Sequence, residues 1–119
     1  MNTILVVEDE QAIALVLRLL LEDEGFEVVL AASGLAAWAQ LTARPPDLVI
    51  SDLMLPGLSG TALYQRMQDD PGLAAVPVLL MSAAGDPELR PAGNYVGFLR
   101  KPFEVAALLL LVRQGLALP

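Results

Sequence analysis

The chain has 119 residues, 55% of them hydrophobic, which supplies one domain with a real core and excludes a disordered segment. Fourteen acidic residues against seven basic ones leave a net charge of −7, which excludes a surface able to neutralise a run of phosphates. With no Cys and no His, disulfides, thiolate nucleophiles, ordinary zinc sites and imidazole bases all drop out.

Ile4 to Val7 is continuously apolar, the pattern of a strand buried on both faces. Gln11 to Glu24 follows as a helix, with Ile13, Val16, Leu17, Leu20 and Leu21 on one stripe and Gly25 ending it. Glu27 to Ala31 reads as a second strand. Ser33 then caps a helix running to about Ala43, with Leu35, Trp38, Ala39 and Leu41 expected inward. Arg44-Pro45-Pro46 forces the exit, and Leu48 to Ser51 is the third strand. Asp52 to Gly60 is a loop marked by Pro56-Gly57. Thr61 to Asp69 reads as a helix with Leu63 and Met67 inward, broken by Asp70-Pro71-Gly72. Pro77 to Met81 is the fourth strand, with proline at its first position, where it is tolerated. Ser82 to Asn94 holds Gly85, Pro87, Pro91 and Gly93, so any helix there is short. Val96 to Leu99 is the fifth strand, and Phe103 to Leu116 a strongly apolar last helix behind Pro102.

Five strands alternate with five helical segments, a (βα)5 pattern spanning residues 1–119 as a single domain. Right-handed crossovers then place helices on both faces of a parallel α/β sheet. Ligands of such folds bind at the carboxyl ends of the strands, near the switch in strand order. The N-terminus has no basic leader, and the acids Glu8 to Glu10 stop its apolar run. Every apolar run falls short of the roughly 20 residues of a membrane span. The expectation is a soluble, cytoplasmic domain that contacts neither membrane nor nucleic acid directly.

The residues just after each strand carry the chemistry. After the first come Glu8, Asp9 and Glu10; at the third, Asp52; after the fourth, Ser82 with the small Ala83 and Ala84; after the fifth, Lys101 and Pro102. The fold gathers these at one edge. Three carboxylates without His or Cys suit a hard, oxygen-ligated ion, Mg²⁺ or Mn²⁺ in its place. One such carboxylate can attack phosphorus. A Lys and a hydroxyl would then hold the oxygens of the phosphoryl group in transfer.

Taken in order, these residues resemble the receiver domain of the two-component response regulators. Glu8 and Asp9 match the family's acidic pair and Asp52 its phosphoacceptor, followed by the Met-x-Pro-x-x-x-Gly signature at Met54, Pro56 and Gly60. Ser82-Ala83 matches the hydroxyl and small residue, Lys101-Pro102-Phe103 the Lys-Pro-Phe signature, and Phe98 the switch aromatic. The resemblance implies a flavodoxin-like doubly wound sheet in the order 2-1-3-4-5. It implies a phosphoryl group taken onto Asp52 from a sensor histidine kinase or a histidine phosphotransfer protein. Glu8, Asp9, Asp52 and the backbone carbonyl of Met54 would hold Mg²⁺. Lys101 would pair with Asp52 at rest and with the phosphoryl group afterwards. Ser82 and Phe98 would move as the switch, and the fourth helix, fifth strand and fifth helix would report it.

The chain departs from the family between Ser82 and Lys101, a shorter stretch with two prolines and Gly93-Asn94-Tyr95-Val96-Gly97 before the last strand. The fourth helix is therefore expected short or irregular. In the last helix Val105, Leu108, Leu109, Val112 and Leu116 make the expected core stripe, leaving Ala107, Leu110, Leu111 and Gln114 opposite; Leu15 and Leu19 do the same on the first. A joint apolar patch on these two helices is expected to meet a second copy or an effector domain. Two rivals remain. One is a receiver-fold interaction module independent of phosphate. The other is a Mg²⁺-dependent aspartyl-phosphate phosphohydrolase, which needs a second acid two positions after the nucleophile, where this chain has Met54. The expectation is thus a phosphoacceptor with at most slow self-dephosphorylation, not an enzyme.

Overall fold

The five apolar runs align as one parallel sheet in the order β2-β1-β3-β4-β5 in the computed structural model, which describes residues 1–84 and 94–118. In chain order the elements are β1 (Thr3–Val7), α1 (Gln11–Asp23), β2 (Glu27–Ala31), α2 (Gly34–Ala43), β3 (Leu48–Asp52), α3 (Gly60–Gln68), β4 (Val78–Ser82), β5 (Tyr95–Arg100) and α4 (Val105–Gly115). The expected short fourth helix falls on residues outside those described.

Alternation along the strands builds two cores. Leu5, Val7, Val49, Val78 and Leu80 face Ala37 and Leu41 of α2 and Leu63, Tyr64 and Met67 of α3. Ile4, Val6, Ile50, Leu79 and Met81 face Leu17 and Leu21 of α1 and Leu108 and Val112 of α4. Each fully buried aliphatic chain contributes about 1.5–3 kcal/mol by leaving water. Ser33 and Ser59 start α2 and α3, their hydroxyls accepting from the amides of Ala36 and Ala62 at 3.1 and 3.2 Å. Ser33→Ala should cost about 1 kcal/mol, read as a lower urea midpoint at unchanged slope.

Three helices are rolled relative to the sequence reading. In α1 the buried residues are Ala14, Leu17 and Leu21, while Val16 is 52% exposed. In α2 Gly34, Ala37 and Leu41 are buried; Leu35 is 63% exposed and Ala39 lies outside. The cause in α2 is the tight seat of Gly34, where a Cβ would lie 2.2 Å from the Leu58 carbonyl oxygen. In α4 Val105 is exposed and Leu111 is half-buried against the second core, the reverse of expectation. Here Gly115 brings the helix onto the sheet, a Cβ there standing 2.9 Å from Leu48 Cδ1. The face carrying Leu108, Leu111, Val112 and Gly115 is therefore the one that packs. Leu15, Leu19 and Leu110 are exposed as expected.

β5 begins one residue early and carries a bulge. Val78 pairs with Tyr95 but Leu79 with Gly97, so Val96 is the extra residue. An unbroken strand would send Tyr95 and Phe98 to opposite faces. The bulge brings both onto the first core, where Tyr95 lies 5.8 Å from Tyr64, ring centre to ring centre, while Val96 and Leu99 turn to the second.

Candidate functional site

The strand order reverses at β1, between β2 and β3, and the acidic residues stand at that switch. Val7 pairs with Ser51, so the next residues, Glu8 and Asp52, emerge side by side. Asp52 also pairs with Met81, which brings Ser82 up on the other flank. Lys101 follows β5, its amide donating to the Ser82 carbonyl at 2.9 Å.

Lys101 donates to Glu8 Oε2 at 2.7 Å and to Asp52 Oδ2 at 2.9 Å. The other oxygen of each carboxylate accepts from backbone: Glu8 Oε1 from the Glu10 amide at 3.2 Å, and Asp52 Oδ1 from the Met54 amide at 3.3 Å. Ser82 Oγ accepts from the Ala84 amide at 3.0 Å. Glu8, Asp52 and Ser82 are buried while Asp9 is exposed. An open cavity of about 290 Å³ lies over the group, lined by Asp9, Asp52, Met54, Ser82 and Lys101 among others. Met54 is 71% exposed, and its backbone amide is the group that meets Asp52. Phe98 is half-buried in the first core.

Every residue singled out from the sequence except Phe98 is thus gathered at one edge. The pairing of Lys101 with Asp52 is present, but the sequence reading missed Glu8 as its second and shorter partner. The parallel register held that signal, since it sets Glu8 beside Asp52. A second, apolar cavity of about 540 Å³ adjoins the first through Glu10, Ala83 and Lys101; it is walled by Ile13, Val16, Leu20, Phe103 and Val105. The outward Val16 and Val105 therefore line a groove beside the site.

Burial raises the Glu8 carboxyl above its ordinary 4.5, outweighing the hydrogen bonds from Lys101 and the Glu10 amide. Burial would pull Lys101 down, but its bonds to Glu8 and Asp52 win and hold it above 10.5. Lys101 therefore contributes stability that is fully present below pH about 10.5 and is lost as pH rises through its folded value. Glu8 binds its proton more tightly folded than unfolded, so its contribution falls as pH climbs through the acid range. Lys101→Met should flatten the alkaline loss, measured as denaturant midpoint against pH; equal slopes in both proteins would refute the pairing.

One carboxylate oxygen each from Glu8, Asp9 and Asp52 lie within 4.8 Å of one another. This is a hard donor set, and three acids against one lysine leave it short of positive charge. It fits a small divalent cation.

The family model for the response regulator receiver domain matches residues 4–113. The phosphate regulon transcriptional regulatory protein PhoB of Rhizobium meliloti is 40% identical over 113 residues, 92% of this chain and 50% of that protein. The sensory transduction protein RegX3 of Mycobacterium tuberculosis is 34% identical over 95% of this chain and 50% of its own length. This chain thus spans about half the length of these curated relatives. Among solved structures, a putative response regulator of Chloroflexus aurantiacus superposes with a TM-score of 0.89 at 37% identity, over 98% of both chains. The chemotaxis response regulator CheY4 of Vibrio cholerae gives 0.87 at 28% identity, over 97% of this chain and 98% of its own. With the acids, the hydroxyl and the lysine brought to one edge of a 2-1-3-4-5 sheet, the chain belongs to the receiver domain family of the two-component response regulators.

Proposed function

We propose that Asp52 accepts a phosphoryl group from a phosphohistidine of a sensor kinase or phosphotransfer protein. The observation that carries this is the placement of Asp52: buried at the end of the central strand, open to a cavity, and 2.9 Å from Lys101. A carboxylate oxygen attacks phosphorus, the P–N bond of the donor breaks, and its electron pair stays on the imidazole nitrogen. No His is needed in this chain, because the donor brings its own.

Glu8, Asp9, Asp52 and the Met54 carbonyl are the residues we assign to Mg²⁺, with Mn²⁺ as a substitute. When bound, the ion supplies positive charge to the phosphoryl oxygens. Lys101 turns from Asp52 to a phosphoryl oxygen after transfer. Ser82 trades its bond to the Ala84 amide for another of these oxygens, and Phe98 moves inward behind it. Met54 has no proton to give where a phosphohydrolase would carry its second acid, which supports slow self-dephosphorylation rather than turnover. Residues 1–119 then act as one receiver unit. Leu15, Leu19 and Leu110 support contact with a second copy or an effector segment. The scarcity of Lys and Arg supports a chain that does not itself hold nucleic acid, and the absence of Cys a cytoplasmic setting. The test is treatment with acetyl phosphate and Mg²⁺, followed by mass mapping of the adduct. Label on Asp52 is expected; label elsewhere, or none, would overturn the proposal.

A further inference from the structure

The loop from Leu53 to Ser59 reaches the nucleophile through its backbone, since the Met54 amide donates to Asp52 Oδ1. Its root is fixed by two hydrogen bonds: the Leu53 amide to the Met81 carbonyl at 2.9 Å, and the Gly60 amide to the Leu53 carbonyl at 3.0 Å. Two glycines close on its ends. A Cβ on Gly60 would stand 2.3 Å from the Asp52 carbonyl oxygen and 2.9 Å from Leu53 Cα. A Cβ on Gly34, the first residue of α2, would stand 2.2 Å from the Leu58 carbonyl oxygen and 2.7 Å from Leu58 Cβ.

Neither glycine serves a left-handed backbone; among the described residues the positive-φ glycines are Gly25, Gly57 and Gly97. Their reason is proximity. In both cases the nearest neighbour is a backbone carbonyl, so no change of rotamer relieves an added methyl group, and the chain itself must shift. Gly60 sits at the site. Gly34 does not: among the described residues, α2 gives no polar group to the site.

We propose that Gly34 is a positioning residue for phosphoryl acceptance. By letting α2 seat against the Leu58 carbonyl, it sets the path of the loop and so holds the Met54 backbone against Asp52. The proposal rests on the reading of Asp52 as the acceptor. It also differs from a packing role, which would lower stability and leave the reactivity of folded protein alone.

Gly34→Ala separates these. Folded protein, checked by circular dichroism, should show a displaced Met54 amide resonance. Mg²⁺ affinity and acetyl phosphate labelling should each fall by about tenfold to a hundredfold, the scale on which ångström misplacement acts. Leu17→Ala, on the opposite face of the sheet, should lower the melting temperature and leave all three readings unchanged. Leu58→Gly added to Gly34→Ala removes one of the two close contacts and should recover part of the labelling rate. If G34A does not fold, the single variant L58G, which keeps Gly34 and the Leu58 carbonyl but removes the Leu58 Cβ beside them, should still shift the Met54 resonance and slow labelling several-fold. Wild-type reactivity and an unmoved Met54 resonance in folded G34A, or in L58G where G34A fails to fold, would overturn the proposal. Unlabelled wild type, or labelled D52N, would instead overturn the reading of Asp52 on which it rests.

Discussion

Asp52→Asn should abolish phosphoryl acceptance while leaving the fold intact. The amide keeps the shape of the carboxylate, so the strand end and the Met54 contact have no steric reason to move. What disappears is the charged oxygen that attacks phosphorus. Lys101 keeps its shorter bond to Glu8 Oε2, so its ammonium is not left alone in a buried place, and the change removes one of three crowded acids. Intact mass after acetyl phosphate and Mg²⁺ should show the wild type shifted and D52N not shifted at all, with similar melting temperatures. An equal adduct on D52N would place the acceptor elsewhere.

Asp9→Ala should disconnect the protein from its metal. Of the three acids Asp9 is the exposed one, and among the described residues no hydrogen bond or ion pair ties it to the fold. Glu8, by contrast, spends both oxygens on Lys101 and the Glu10 amide. Asp9 is therefore the acid freest to serve an ion and the least needed without one. In the wild type, Mg²⁺ at a hundred times its dissociation constant should add about 2.7 kcal/mol of stability. D9A should lose most of that gain yet be no less stable in chelator, since its removal eases repulsion. Labelling should slow by about a hundredfold to a thousandfold, as expected when several kcal/mol of charge stabilisation is lost. Equal Mg²⁺-induced shifts in melting temperature for the two proteins would put the ion elsewhere.

The strands and the site were legible in the sequence for one shared reason. Parallel strands buried on both faces are continuous apolar runs, and the polar residue that ends each run marks the edge where ligands bind. Glu8 and Ser82 announce themselves in that way, and Asp52 and Lys101 stand one residue beyond, after Ser51 and Arg100. The rolls of α2 and α4 were not legible, because apolar residues surround both helices and no stripe stands out. There the phase is set by Gly34 and Gly115, whose lack of a side chain matters only once their neighbours are known. The β5 bulge escaped for a similar reason, since Tyr95, Val96 and Phe98 suit either face. The second partner of Lys101 needed the pairing of Val7 with Ser51, a fact about two strands rather than one.

The position of the strands within the sheet also ranks the site's parts by how often they open. β3 is paired on both sides, whereas β5 is a margin held by β4 alone. Amides at the sheet's centre exchange with solvent only when the whole domain unfolds, while those at a margin exchange through smaller, cheaper openings. Asp52 belongs to the first class, and Lys101, tethered past the end of β5, to the second. An opening confined to the sheet's margin would therefore free the ammonium while the nucleophile stays in place. It would cost less than unfolding, and it would leave Glu8 and Asp52 without their counter-charge.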